Sequence, residues 1–124
     1  MGESRKIILV VDDEPTILSF IEEMLLLHGH QPVLAKTGEE ALEICERKEL
    51  NIDLLVTDVV LPSMKGHELA EIFKKKYPDT KILYMSAYMS PAISEKEQLD
   101  RKKAFIQKPF TSGEFNKLFK AFLK

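Results

Sequence analysis

The chain has 124 residues, enough for one domain with a single core. Its 44% hydrophobic content excludes a disordered segment, and a net charge of −2 selects no charged partner. The charge is uneven, net −8 over residues 1–62 and net +6 over 63–124, but the excess lysines fall mostly on predicted helices without interleaved aromatics, which argues against nucleic-acid binding.

Ile7–Val11 is short, apolar and β-branched, as a buried parallel strand should be. Pro15 opens the first helix, with Asp13 or Glu14 as its cap, and Gly29 closes it. Val33–Ala35 reads as a second strand. Thr37 starts a second helix that turns Ala41, Leu42 and Cys45 inward, so the single cysteine reads as a buried structural thiol. Leu54–Thr57 is the third strand, Leu69, Ile72 and Phe73 mark a third helix, and Ile82–Met85 is the fourth strand. Between Tyr88 and Lys102 the apolar pattern is thin, which predicts a short or mobile fourth helix. Lys103–Ile106 is the fifth strand, and Phe115, Leu118, Phe119 and Phe122 give a fifth helix a strong apolar stripe.

Alternating strands and helices imply right-handed crossovers and a parallel sheet. The expected fold is α/β, a flavodoxin-like doubly wound sheet of five strands in the order 2-1-3-4-5 with five helices. In such sheets ligands bind at the carboxyl ends of the strands. There the first strand ends on Asp12-Asp13, the third on Asp58, the fourth on Ser86 and the fifth leads to Lys108-Pro109. Any one of these has an ordinary reading as a turn or cap residue. Together they place three carboxylates, a hydroxyl and an ammonium at one edge.

Clustered carboxylates repel, so without a cation at least one should have a raised pKa. The all-oxygen set favours Mg²⁺, which takes one or two carboxylates plus a phosphoryl oxygen. Asp58 stands alone at its strand end and is the best nucleophile for an aspartyl phosphate. Lys108 would neutralise one side of the phosphoryl group and the Ser86 hydroxyl would donate to it. His28, His30 and His67 lack ligand spacing and read as exposed or locally bonded.

The stretches Ile-Leu-Val-Val-Asp-Asp-Glu-Pro (8–15), Asp-Leu-Leu-Val-Thr-Asp-Val-Val-Leu-Pro (53–62), Met-Ser-Ala (85–87) and Phe-Ile-Gln-Lys-Pro-Phe (105–110) resemble the receiver domain of bacterial response regulators, the CheY-like family. The resemblance covers one receiver domain over 1–124, with a core at about 6–123. It implies that Asp58 is the phosphoacceptor. It implies Mg²⁺ ligation by Asp13, Asp58 and the Val60 carbonyl, with Asp12 acting through water. Val59 and Ala87 would bind the phosphoryl group, Ala87 through its N–H. Ser86 and Phe105 would be the switch residues, and the Lys108–Pro109 bond would be cis. The donor would be a phosphohistidine on a histidine kinase or histidine phosphotransfer domain.

Three departures carry consequences. Phe105 stands where the family often has tyrosine, so it cannot donate a hydroxyl hydrogen bond, and the output face of the fourth helix, fifth strand and last helix would signal differently. Val60 and Tyr88 occupy positions that tune phosphoryl lifetime. An apolar Val60 cannot hold an attacking water, which predicts slow self-dephosphorylation. The loop after Asp58 and the segment after Ser86 also look like receivers fused to hybrid histidine kinases. Both a stand-alone regulator and a piece of such a kinase fit.

The competing readings are a pseudo-receiver that serves as an unphosphorylated scaffold, a haloacid-dehalogenase-type phosphatase and a flavin module. The intact Asp12, Asp13, Asp58, Ser86 and Lys108 set opposes the first. The second needs Asp-x-Asp rather than an adjacent pair, and the third needs a phosphate loop after the first strand that is missing here. The receiver reading makes the domain an acceptor rather than a turnover enzyme. No leader is expected, since the first apolar run is five residues long, and no run approaches the roughly 20 apolar residues of a membrane span. Lys6 stands where a myristoylation site needs Ser or Thr. A single cysteine excludes an internal disulfide, and the expected location is the cytoplasm.

Overall fold

The computed structural model describes residues 5–87 and 103–123. Five strands alternate with helices: β1 (Ile7–Val11), α1 (Pro15–Leu27), β2 (Gln31–Ala35), α2 (Gly38–Lys48), β3 (Leu54–Asp58), α3 (Gly66–Lys76), β4 (Lys81–Ser86), β5 (Lys103–Gln107) and the C-terminal helix α4 (Ser112–Leu123). The strands form one sheet in the order β2-β1-β3-β4-β5, and every pairing is parallel. The expected architecture is therefore present, with four helices among the described residues. The expected helix between Tyr88 and Lys102, and Tyr88 itself, lie outside them.

The central strands are apolar on both faces because both faces are covered. Ile8, Val10, Leu54, Val56, Leu83 and Met85 meet Leu18, Ile21, Met24 and Leu25 of α1 and Phe115 and Phe119 of α4. Leu9, Val11, Leu55, Ile82 and Tyr84 on the opposite face meet Ala41 and Cys45 of α2 and Leu69, Ala70 and Phe73 of α3. Full burial of each large side chain contributes about 1.5–3 kcal/mol before chain entropy is counted. This two-sided packing fixes where the strands end, and so fixes the site.

Helix ends follow the local sequence. Gly29 adopts φ 79°, and the N–H groups of Gly29 and His30 return to the carbonyls of Leu26 and Leu25 at 3.0 Å each. This is the paired closure that a left-handed glycine permits at a helix C-terminus. Thr37 Oγ1 accepts from the Glu40 N–H at 3.0 Å, and Glu40 reaches back to the Lys36 N–H at 2.6 Å. Glu14 occupies the α1 N-cap without a side-chain cap bond.

Strand β2 begins two residues earlier than its apolar pattern suggests, taking in Gln31 and Pro32. It is the edge of the sheet. The Gln31 N–H donates to the Lys6 carbonyl at 2.8 Å, so by alternation the Pro32 nitrogen faces away from β1, where no ladder bond is lost. His30 departs from the sequence reading, being neither exposed nor locally bonded. It is buried, its Nδ1 accepts from the Lys6 N–H at 3.1 Å, and its ring meets Phe119 edge-on at 5.4 Å. Its neighbours Gly29, Gln31 and Pro32 carry no pattern that signals a long-range polar tie.

Candidate functional site

Strands β1 and β3 are adjacent, with Val11 paired to Thr57, so the residues that follow them emerge side by side. Asp12, Asp13 and Asp58 each offer a carboxylate oxygen, and these atoms lie within 4.8 Å of one another. Asp12 is fully buried, Asp58 is half-buried and Asp13 is exposed. The Glu14 N–H donates to Asp12 Oδ1 at 2.9 Å, and the Val60 N–H donates to Asp58 Oδ1 at 3.0 Å.

Lys108 reaches this cluster from the far side of β4. Its own N–H donates to the Ser86 carbonyl at 2.7 Å, which extends the β4–β5 ladder past Gln107. The following Lys108–Pro109 bond is cis. The ammonium then donates to Asp12 Oδ2 at 2.6 Å and to Asp58 Oδ2 at 2.8 Å. One lysine thus bridges the ends of β1 and β3.

Burial pushes the Asp12 carboxyl above its ordinary value; the Lys108 hydrogen bond, the Glu14 N–H and the Lys108 charge oppose this. The nearby Asp58 adds a smaller upward push. The expectation of a raised carboxylate thus holds, but its main cause is desolvation rather than repulsion. Burial alone would lower the Lys108 ammonium. Its hydrogen bonds and charge pairing with Asp12 and Asp58 outweigh that, so it is held above the usual lysine range.

Ser86 ends β4 and is buried, and Ala87 next to it is exposed. The Val59 N–H donates to the Met85 carbonyl at 2.9 Å, so the amide that meets the Asp58 carboxylate is that of Val60. The Val60 side chain is 75% exposed. Phe105 is half-buried and lies nearly parallel to Tyr84, ring centroids 5.0 Å apart at 18°.

Two features escaped the sequence reading. The Lys108–Asp12 pair was missed because the lysine was assigned only to the phosphoryl group. Gly66 packs directly on the Asp58 backbone, and a glycine opening a helix was the available signal.

The sequence profile of the response regulator receiver domain matches residues 8–120. The chain belongs to this family. Receiver domains are phosphoacceptors of two-component phosphorelays, and this chain carries that fold and acidic pocket. It is 35% identical over 104 residues to the sensor kinase CckA of Brucella abortus, which covers 84% of this chain and 11% of that protein. Among solved structures, a CheY-like receiver domain protein from Methanospirillum hungatei is 31% identical with a TM-score of 0.83, covering 97% of this chain and 94% of that one. The response regulator TrrA of Thermotoga maritima, in complex with Mg²⁺–BeF, is 32% identical with a TM-score of 0.77, covering 94% and 98%. The chain spans between 11% and 50% of the first curated relatives it matches. No described helix is long and apolar enough to cross a membrane.

Proposed function

We infer that this chain is a single receiver domain over 1–124 that takes a phosphoryl group from a phosphohistidine onto Asp58. The observation that carries this reading is the Lys108 ammonium 2.8 Å from Asp58 Oδ2, inside a cluster of three carboxylates. An Asp58 oxygen attacks phosphorus, a P–O bond forms, and the P–N bond to the donor imidazole breaks. The imidazole nitrogen keeps the electron pair and takes a proton. The Lys108 ammonium balances charge on the phosphoryl oxygens, and Ser86 and the Ala87 N–H donate to them. Val59 borders the same space. Such transfer depends on position and charge more than on covalent work by the protein.

The site fits a divalent cation. Its donors are all oxygen, and three carboxylates face one ammonium, which leaves negative charge in excess. Asp13, Asp58 and the Val60 carbonyl would hold Mg²⁺, with Asp12 acting through water. When bound, the ion would supply charge neutralisation to the phosphoryl oxygens alongside Lys108. Ser86 and Phe105 carry the conformational response.

The donor partner is a histidine kinase or a histidine phosphotransfer domain, and the location is the cytoplasm. The domain catalyses its own phosphorylation and is not a turnover enzyme. The likeness to CckA supports placement within a hybrid histidine kinase. The test is incubation with acetyl phosphate and Mg²⁺, read by intact mass. One phosphoryl adduct, labile to hydroxylamine and absent in Asp58→Asn, is expected. Absence of an adduct in the unmodified chain, with Mg²⁺ shown to bind, overturns the reading in favour of a scaffold.

A further inference from the structure

The geometry points to Gly66 as a positioning residue for the phosphoryl acceptor, acting through the Val59 peptide; this rests on Asp58 being that acceptor. Gly66 opens α3 and is buried. Its N–H donates to the Val59 carbonyl at 2.9 Å. A Cβ built on Gly66 would fall on the Asp58 carbonyl oxygen, with the Val59 Cα at 3.0 Å and the Asp58 carbonyl carbon at 3.1 Å. All three neighbours are backbone atoms, which cannot swing aside as a side chain can. Gly29 is the glycine with positive φ among the described residues, so Gly66 is required for close approach and not for an unusual backbone angle.

The peptide that Gly66 presses on is held from other directions. The Val59 N–H donates to the Met85 carbonyl on β4 at 2.9 Å, and the Thr57 hydroxyl donates to the Asp58 carbonyl at 3.0 Å. The next amide, that of Val60, donates to Asp58 Oδ1 at 3.0 Å. That bond sets the carboxylate rotation that turns Oδ2 toward Lys108 at 2.8 Å. The path therefore runs from Gly66 to the Val59 carbonyl, to the Val60 N–H, to the acceptor oxygens. An atom added at Gly66 presses on the Asp58 carbonyl and the Val59 Cα, which shifts the Val60 amide beyond them and rotates the acceptor.

Gly38 provides the control. A Cβ there would meet Met64 Sδ at 2.8 Å, the far end of a flexible side chain in the same loop. Gly38→Ala crowds the loop without displacing the Val59 peptide.

The experiment compares the unmodified chain, Gly66→Ala and Gly38→Ala. The Val60 amide is followed by ¹⁵N NMR, and the adduct rate with saturating acetyl phosphate is followed by intact mass. In Gly66→Ala the Val60 amide resonance moves, and the rate falls about 100-fold, the cost of roughly 1 Å of misplacement. Gly38→Ala keeps both. A folded Gly66→Ala with an unmoved Val60 amide and an unchanged rate overturns the proposal. An equal slowing by Gly38→Ala also overturns it, since general loosening would then account for both. If Gly66→Ala does not fold, one glycine inserted between Ser63 and Met64 lets α3 retreat without placing a Cβ at position 66. That insertion is expected to move the Val60 amide and slow the adduct, and unaltered behaviour overturns the proposal. Failure of the unmodified chain to take an adduct would remove the acceptor reading, while the Val60 amide still reports whether Gly66 sets the loop.

Discussion

The Lys108 ammonium sits 2.6 Å from Asp12 Oδ2, a carboxylate with no exposed surface. The same ammonium holds Asp58 Oδ2 at 2.8 Å, so one cation compensates a buried and a half-buried anion. Its backbone N–H also holds the Ser86 carbonyl, so the ends of β1, β3 and β4 are tied by one residue.

Removing that cation should be costly. Lys108→Met leaves the enclosed Asp12 without its counter-ion, and breaking a buried pair from one side costs about 3–5 kcal/mol, against about 0–1 kcal/mol for an exposed pair. We expect a stability loss near the lower end of the first range, about 3 kcal/mol, because Lys108 keeps some solvent contact. Urea denaturation at pH 7 without divalent ions measures it. The double variant Lys108→Met/Asp12→Asn should regain much of the loss. A deficit under about 1 kcal/mol would place the triad in the exposed class.

The Val60 side chain projects beside the acceptor, 75% exposed and without a polar atom. It can neither orient nor accept a proton from a hydrolytic water. The aspartyl phosphate should therefore decay slowly. Val60→Asn should speed its loss by about one order of magnitude, short of the ~10²–10⁴-fold of a full general base. The check is intact mass against time after removal of the donor, and unchanged decay would count against the idea.

Cys45 gives a pH signature. Burial pushes its thiol up to about 11 from an ordinary 9.0, with the Lys76 charge pulling slightly the other way. The folded pKa lies above the unfolded one, so the neutral thiol's contribution is fully present below pH 9.0 and is lost as pH rises toward 11. At about 1.4 kcal/mol per pKa unit, that loss amounts to roughly 2–3 kcal/mol. Cys45→Ala should show a shallower fall in stability across this window, with loss of the upward push that Cys45 exerts on Tyr77 acting in the same direction. Parallel curves would refute the assignment. In the native chain the thiol should also react slowly with alkylating reagents at neutral pH.

Lys81 ties the start of β4 to the end of α4. Its ammonium donates to the Phe122 carbonyl at 2.6 Å and lies 5.5 Å from the Phe122 ring centroid. A cation on the last carbonyls of a helix and on an aromatic face contributes about 1–2 kcal/mol in a partly buried setting. Lys81→Met keeps the stem and loses both terms. The expected result is a Tm lower by a few degrees, with amide exchange faster in the last turn of α4 than in β1. Uniform acceleration along the whole chain would argue for a global effect instead.

The sheet order was legible because short apolar runs alternated with helix signals, and the first, third and fourth strands ended on an acid or a hydroxyl. The meeting of Asp12, Asp13, Asp58, Ser86 and Lys108 at one edge follows from that order. What periodicity could not carry was contact between backbones. Gly66 has no side chain to pattern, and its role depends on the approach of α3 to Asp58, which no spacing encodes. His30 was misread for a related reason, since its partner is an amide 24 residues away. The early start of β2 was hidden by Pro32, a residue that ordinarily demotes a strand.

That proline has a bearing on how copies of the chain can associate. A sheet edge normally offers alternate N–H and C=O groups to any strand that arrives. On the outward side of β2 the donor at Pro32 is absent, so a newcomer would find a gap near the start of a five-residue ladder. Lateral growth of the sheet is discouraged there, and contacts with other molecules on that flank are left to side chains.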